Sequence, residues 1–193
     1  YDGGSRLKDC ERLTLQDNNH GTNFESIAPL NEASSLFGYT LCKNNIIYVA
    51  GGVTASKKFG CTDSIEKYSV LENKWSLLQV RIPYKLCGLS CIPLEDENEE
   101  KIIIFGGSDN LNRSVKSVLE LNLTEGKINE FDQMVSKRQM NNKAFEKHGI
   151  VYLIGGTSDS DCEVWNFNNS SKTTFSYGDH IKSDLKNFCA FTA

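Results

Sequence analysis

The hydrophobic positions of this chain fall into short runs that recur. IIYVAGG (46–52), KIIIFGG (101–107) and IVYLIGG (150–156) can be laid over one another. Each is a β-branched and aromatic stretch that ends in a double glycine. A fourth pair, Gly3 and Gly4, opens the chain. The second glycines stand at 4, 52, 107 and 156, so the spacings are 48, 55 and 49 residues. Runs of this length and composition, bounded by turn residues, predict β-strands.

The segments downstream of the glycine pairs recur as well. A polar loop leads to an alternating strand, SIEKYSV (64–70), SVLELNL (117–123) or CEVWNFN (162–168). A turn and a further strand come next, such as KWSLL (74–78) or KINEF (127–131). Before each glycine run stands another strand: SLFGYTLC (35–42), LCGLSCIP (86–93) and NNKAFEKH (141–148). Each unit therefore reads as four strands, ordered inner, glycine, aromatic and outer. The acidic stretch EDENEE (95–100) lengthens the middle unit and reads as a solvated hairpin tip.

A double glycine after an apolar strand, with Tyr68 and Trp75 separated by six residues downstream, resembles the kelch family, whose repeat is about 50 residues long. Other units are degenerate: Leu121 and Ile128 replace the aromatic pair, Trp165 keeps its first member, and Leu13 and Phe24 need a longer loop. The resemblance implies an all-β fold, a kelch β-propeller of four-stranded antiparallel blades. The expected layout is a partial blade at 1–30, complete blades at about 34–79, 85–132 and 138–178, and the start of another at 187–193. Beginning and ending mid-blade leaves two readings: the terminal pieces share one blade and close a small propeller, or, as favoured, blades are missing and the chain is a portion of a five- or six-bladed propeller. The chain also lacks an initiator Met, as an excised piece of a longer protein would.

Composition narrows the function. Net charge is −4 and basic residues are interspersed, so the electrostatic footprint of a nucleic-acid binder is missing. No apolar run reaches the ~18 residues of a membrane span, and the first residues do not read as a signal peptide. Seven cysteines without framework spacing point to a reducing, cytoplasmic setting. Cys87 and Cys91 lie four residues apart in a predicted strand, roughly 13 Å, too far to share one ion. Cys10 and Cys162 occupy one repeat position and are expected to be buried, whereas Cys61 falls in a loop and is expected to be an exposed thiol. The three histidines show no ligand spacing, and no nucleophile elbow, dinucleotide fingerprint or P-loop is present. Neither catalytic residue, metal nor cofactor is expected. Glu11, Glu66 and Glu163 recur at one position of the third strand, with Leu119 in the remaining unit. A residue repeated once per blade suggests structural hydrogen bonding.

The resemblance also implies where a ligand docks. Two sets of loops gather on one face of a propeller: 5–9, 53–63, 108–116 and 157–161, and 31–35, 81–85, 136–139 and 183–187. By position, the family's ligand contacts fall on Ser35, Lys85, Ser108, Arg138, Gln139, Thr157 and Lys186, with Asn110 and Arg113 nearby. The family's arginine before the inner strand matches Arg138 and is approximated by Lys85 and Lys186. Basic side chains there suit an acidic protein or peptide through charge-assisted bonds. The function implied is protein binding, as in the substrate-recognition domain of a cullin-based ubiquitin-ligase adaptor whose flanking domains lie outside this chain. The alternatives are a cytoskeletal or scaffold kelch protein and a kelch-fold enzyme with its site in the channel mouth.

Overall fold

The computed structural model describes residues 5–14, 23–55, 60–95, 99–138, 143–156 and 161–176. In chain order its strands are β1 (Cys10–Thr14), β2 (Asn23–Ile27), β3 (Ser34–Ser35), β4 (Gly38–Cys42), β5 (Ile46–Ala50), β6 (Val53–Thr54), β7 (Gly60–Cys61), β8 (Ile65–Ser69) and β9 (Lys74–Leu77). After these come β10 (Ser90–Glu95), β11 (Glu100–Phe105), β12 (Val115–Asn122), β13 (Lys127–Arg138), β14 (Lys143–Lys147), β15 (Ile150–Ile154), β16 (Asp161–Asn166) and β17 (Ser171–Ser176).

Three sheets are four-stranded, with orders β4-β5-β8-β9, β10-β11-β12-β13 and β14-β15-β16-β17. They form the second, third and fourth blades. The first blade is represented by β1 and β2, and β3, β6 and β7 make a small sheet beside the second. All pairings are antiparallel. The inner strands β4, β10 and β14 are neighbours. The blades thus succeed one another in chain order, as an open arc of a β-propeller.

The stacking explains the near-continuous apolar run of β11. Successive side chains of a strand point to opposite faces, and both faces of this sheet are covered by other blades. Ile102 and Ile104 enter a core shared with Tyr48, Ile65 and Leu89, whereas Ile103 and Phe105 enter one shared with Val151, Leu153 and Trp165. At ~25 cal/mol per Å² of buried apolar surface, these two cores are the main force that holds blade to blade.

Turn chemistry sets the hairpins. His148 and Gly149, between β14 and β15, both have positive φ (55° and 76°). That conformation matches the right-handed twist of two-residue hairpins, and His148 is exposed. The outer strand β13 runs well past the predicted 127–131. Register shifts in its pairing with β12 carry the ladder on until Arg138 stands opposite Val115.

Candidate protein-binding face

The double glycines do more than end the second strand. Gly106 has a φ of +63°, and a Cβ there would lie 2.6 Å from the Arg138 carbonyl oxygen. The Gly107 N–H donates to that same carbonyl at 2.8 Å. One blade earlier, the Gly52 N–H donates to the Leu86 carbonyl at 2.9 Å, and a Cβ on Gly51 would lie 2.5 Å from that oxygen. Each of these two glycine pairs is therefore a slot into which the connector from outer strand to next inner strand is pressed, and a side chain would block it.

This equivalence changes the reading of two predicted residues. The residue in the place of Arg138 is Leu86, not Lys85, and both Arg138 and Leu86 are buried (0% and 1% exposed). Lys85 sits one residue earlier and is exposed. Arg138 donates through Nη1 to the Gly155 carbonyl at 2.7 Å and through Nε to Glu163 at 3.4 Å. It fastens the third blade to the fourth and offers no surface to a ligand.

Glu163 completes that fastening. Its carboxylate also accepts the N–H groups of Val135 and Ser136, each at 3.0 Å. The repeated residue Glu66 does the same for the preceding pair, accepting the Asn31 backbone N–H at 3.1 Å and its side-chain amide at 2.7 Å. The structural role expected of the recurring glutamate thus holds at both positions. Where Leu119 stands instead, the joint is apolar: Leu119 packs in a core with Ile82 and Leu86.

Between the second and third blades the loops are woven together. Cys87 and Ser108 exchange backbone hydrogen bonds at 3.0 and 2.8 Å, and Ser108 is 2% exposed. The Cys61 N–H donates to the Asn110 side-chain oxygen. The Gly88 N–H donates to the Leu36 carbonyl at 2.7 Å, and the Ser35 hydroxyl accepts from Arg6 at 3.1 Å. The Asp109 carboxylate accepts the N–H groups of Leu111 and Arg113 and pairs with the Arg113 guanidinium at 2.7 Å. Those bonds, that with the Arg113 side chain foremost, hold the Asp109 carboxyl below the usual carboxylate range.

The structure therefore joins Ser35, Lys85, Ser108, Asn110 and Arg113 through one web of hydrogen-bonded loops. Lys85, Asn110 and Arg113 are exposed, Ser35 is half-buried, and Ser108 is scaffold. Gln139, Thr157 and Lys186 lie outside the described residues. Leu36, Tyr84 and Leu111 are also exposed on these loops. A lone leucine inside the polar stretch SDNLNRSVK was the available signal for Leu111.

Cys61 departs from expectation. It is buried, because β7 folds back on β6 and packs its thiol with Val53 and Cys87. Loss of hydration raises its pKa to about 12. Cys162 is fully buried as expected, and Cys10 is half-buried. Among the described residues no three His, Cys, Asp or Glu side chains are grouped to hold a metal ion.

A family profile described as Kelch motif matches residues 40–79, which hold the inner strand, glycine pair and Tyr68/Trp75 pair of the second blade. Residues 40–79 are a kelch repeat, and the next two four-stranded sheets follow its strand order. Kelch-like protein 40 of Mus musculus is 38% identical over 71 residues, a stretch that makes up 37% of this chain and 11% of that protein. Kelch-like protein 40 of Homo sapiens is 40% identical over 70 residues, 36% of this chain and 10% of that protein. The match thus spans about a tenth of the length of these curated relatives. The solved structure of YjhT superposes with a TM-score of 0.72 at 11% identity, covering 90% of this chain and 60% of that one. That likeness concerns the fold.

Proposed function

We propose that this kelch chain is a protein-interaction module whose loop face binds a protein or peptide. The observation that carries the reading is the contrast within the face. Backbone hydrogen bonds, the glycine slots and a buried Arg138–Glu163 pair fix the loops. Upon that rigid base Lys85, Asn110, Arg113 and Leu111 project to solvent. Binding residues favour loops held on a rigid scaffold, and exposed apolar groups beside fixed charges make an interface centre with a polar rim.

The ligand is acidic in this reading, because Lys85 is exposed on the face and the Arg113 guanidinium, although paired with Asp109, is still 72% exposed. Gln139, Thr157 and Lys186 complete the face by repeat position. The finer role is substrate recognition for a cullin-based ubiquitin ligase in the cytoplasm, with the cullin engaged through domains outside this chain. The kelch-like relatives and the scattered polar and basic side chains of the face favour it over catalysis.

The test is partner capture from cells by the intact protein beside a variant carrying Lys85→Glu and Arg113→Glu, with binding then measured on the purified partner. Both side chains are exposed, and Arg113→Glu gives up only a surface pair with Asp109, so Tm should fall slightly and is measured first. Loss of a partner set in the folded variant supports the face, and identical partner sets refute it. A cullin retained by both proteins supports the adaptor role, and its absence from both refutes that role.

A further inference from the structure

Two thiols meet where the second blade joins the third. Cys61 ends β7, and Cys87 lies in the connector that enters the third blade. The two segments pair antiparallel at Thr62 and Leu86, where the Leu86 N–H donates to the Thr62 carbonyl at 3.1 Å. One step along that register, Cys61 faces Cys87. Residues opposed in an antiparallel pair have Cα atoms about 4.5–5.5 Å apart. That separation lies inside the roughly 4.4–6.8 Å that a disulfide spans.

The side chains turn towards one another. Both thiols pack with Val53 in one small cluster, and both bond to Ser108. The Cys61 thiol donates to the Ser108 carbonyl at 3.6 Å, and Cys87 Sγ lies 3.7 Å from the Ser108 hydroxyl oxygen. Loss of hydration, and after it a hydrogen bond with the Cys87 thiol, raises the Cys61 thiol to about 12. Cys42 and Cys91 share the larger core between these blades but stand apart. A Cβ on Gly38 would lie 2.7 Å from Cys91 Sγ. Cys42 is four residues further along β4, roughly 13 Å at ~3.3 Å per residue.

We propose that Cys61 and Cys87 form a redox-sensitive modification site, at which a reversible disulfide staples the β6–β7 hairpin to the connector of the third blade. The oxidant is a small disulfide of the glutathione class. With Cys61 held protonated by its burial, the first attack falls to Cys87. Its thiol loses a proton and attacks one sulfur of the oxidant, whose S–S bond breaks and releases one glutathione. The Cys61 thiol then loses its proton and attacks the Cys87 sulfur of the mixed disulfide, and the second glutathione leaves. The two cysteines give up two electrons and two protons, and these end on two glutathione thiols. Both cysteines are buried, so exchange follows opening of the β6–β7 pairing, which is only two residue pairs long. Burial slows the exchange, while the nearness of the sulfurs in the folded chain sets its end point. The site does not depend on what the loop face binds.

The probe is glutathione. Reduced protein is equilibrated in buffers of graded oxidised-to-reduced ratio, and a second sample is refolded from urea in the same buffers so that access sets no limit. The expected product has lost the mass of two hydrogens, and a non-reducing peptide map links Cys61 to Cys87. Cys61→Ser and Cys87→Ser should each abolish the link, whereas Cys10→Ser should keep it. The bridged protein should melt at a higher Tm, because the bond restricts the unfolded chain, and excess reduced glutathione should reverse both changes. Absence of the link from both samples overturns the proposal. So does a link that survives either Cys61→Ser or Cys87→Ser, or a bridged protein that melts no higher than the reduced one.

Discussion

Arg138 Nε lies 3.4 Å from Glu163 Oε1, and the side chains are 0% and 1% exposed. The pair joins the outer strand of the third blade to the third strand of the fourth. Glu163 also holds two backbone N–H groups from that outer strand. Removing either partner leaves a buried charge without its counterpart.

Glu163→Gln and Arg138→Met are each expected to destabilise the protein by about 3–5 kcal/mol. Chemical denaturation of the single and double variants checks this. The double variant should lose less than the sum of the singles, because it leaves no orphaned charge. Additive losses would show that the two side chains act independently.

The joint at Leu119 gives the converse case. Leu119 is 1% exposed and sits among Ile82, Leu86 and Leu121. Leu119→Glu would restore the residue found at the same repeat position in neighbouring blades. It is nevertheless expected to cost more than about 3 kcal/mol, since a carboxylate buried without donors is severely penalised. A Tm near that of the wild type would mean that local N–H groups can turn to receive it.

Two glycines with nearly the same φ should respond differently to alanine. At Gly126 (φ +65°) a Cβ meets nothing within 4 Å, whereas at Gly106 (φ +63°) it meets the Arg138 carbonyl oxygen at 2.6 Å. Gly126→Ala should cost only the left-handed backbone penalty, about 1–2 kcal/mol. Gly106→Ala should cost clearly more, because the connector must be pushed out of its slot. Equal losses in thermal melts would remove the slot from the explanation of the glycine pair.

Alkaline stability is set by buried acids. Loss of hydration raises the Cys61 thiol from 9.0 to about 12, and the Tyr48 phenol from 10.0 to about 12. Cys91 is raised further by its burial. A raised folded-state pKa means that the unfolded chain releases the proton first. The stabilisation is therefore complete below about pH 9 and is lost as pH climbs from there towards 12. Denaturation midpoints should fall across that window, and Cys61→Ser should flatten the part that begins near pH 9. In the native state at pH 8, alkylating reagents should modify half-buried Cys10 before Cys61, Cys91 or Cys162.

The strand pattern, the glycine pairs and the recurring glutamate were legible in the sequence because they are local and periodic. The period-two alternation of residues 64–70 and the apolar runs that end in glycine pairs each depend on a few neighbouring residues. One blade cannot bury both of its faces, so repetition also implied stacking. The family resemblance then supplied the propeller.

What only the tertiary structure decided lies across the joints between blades. Lys85 was the nearest basic match to Arg138, yet Leu86 fills the slot, since the slot is defined by which carbonyl meets the glycine of a distant strand. Cys61 reads as a loop thiol in one dimension and is buried by a hairpin that folds back against Cys87. Sequence periodicity reports which residues share a strand and a face. Exposure at a joint is set by side chains from the next blade, tens of residues away, and there only the folded chain decides which groups are buried as scaffold and which are left outside for a partner.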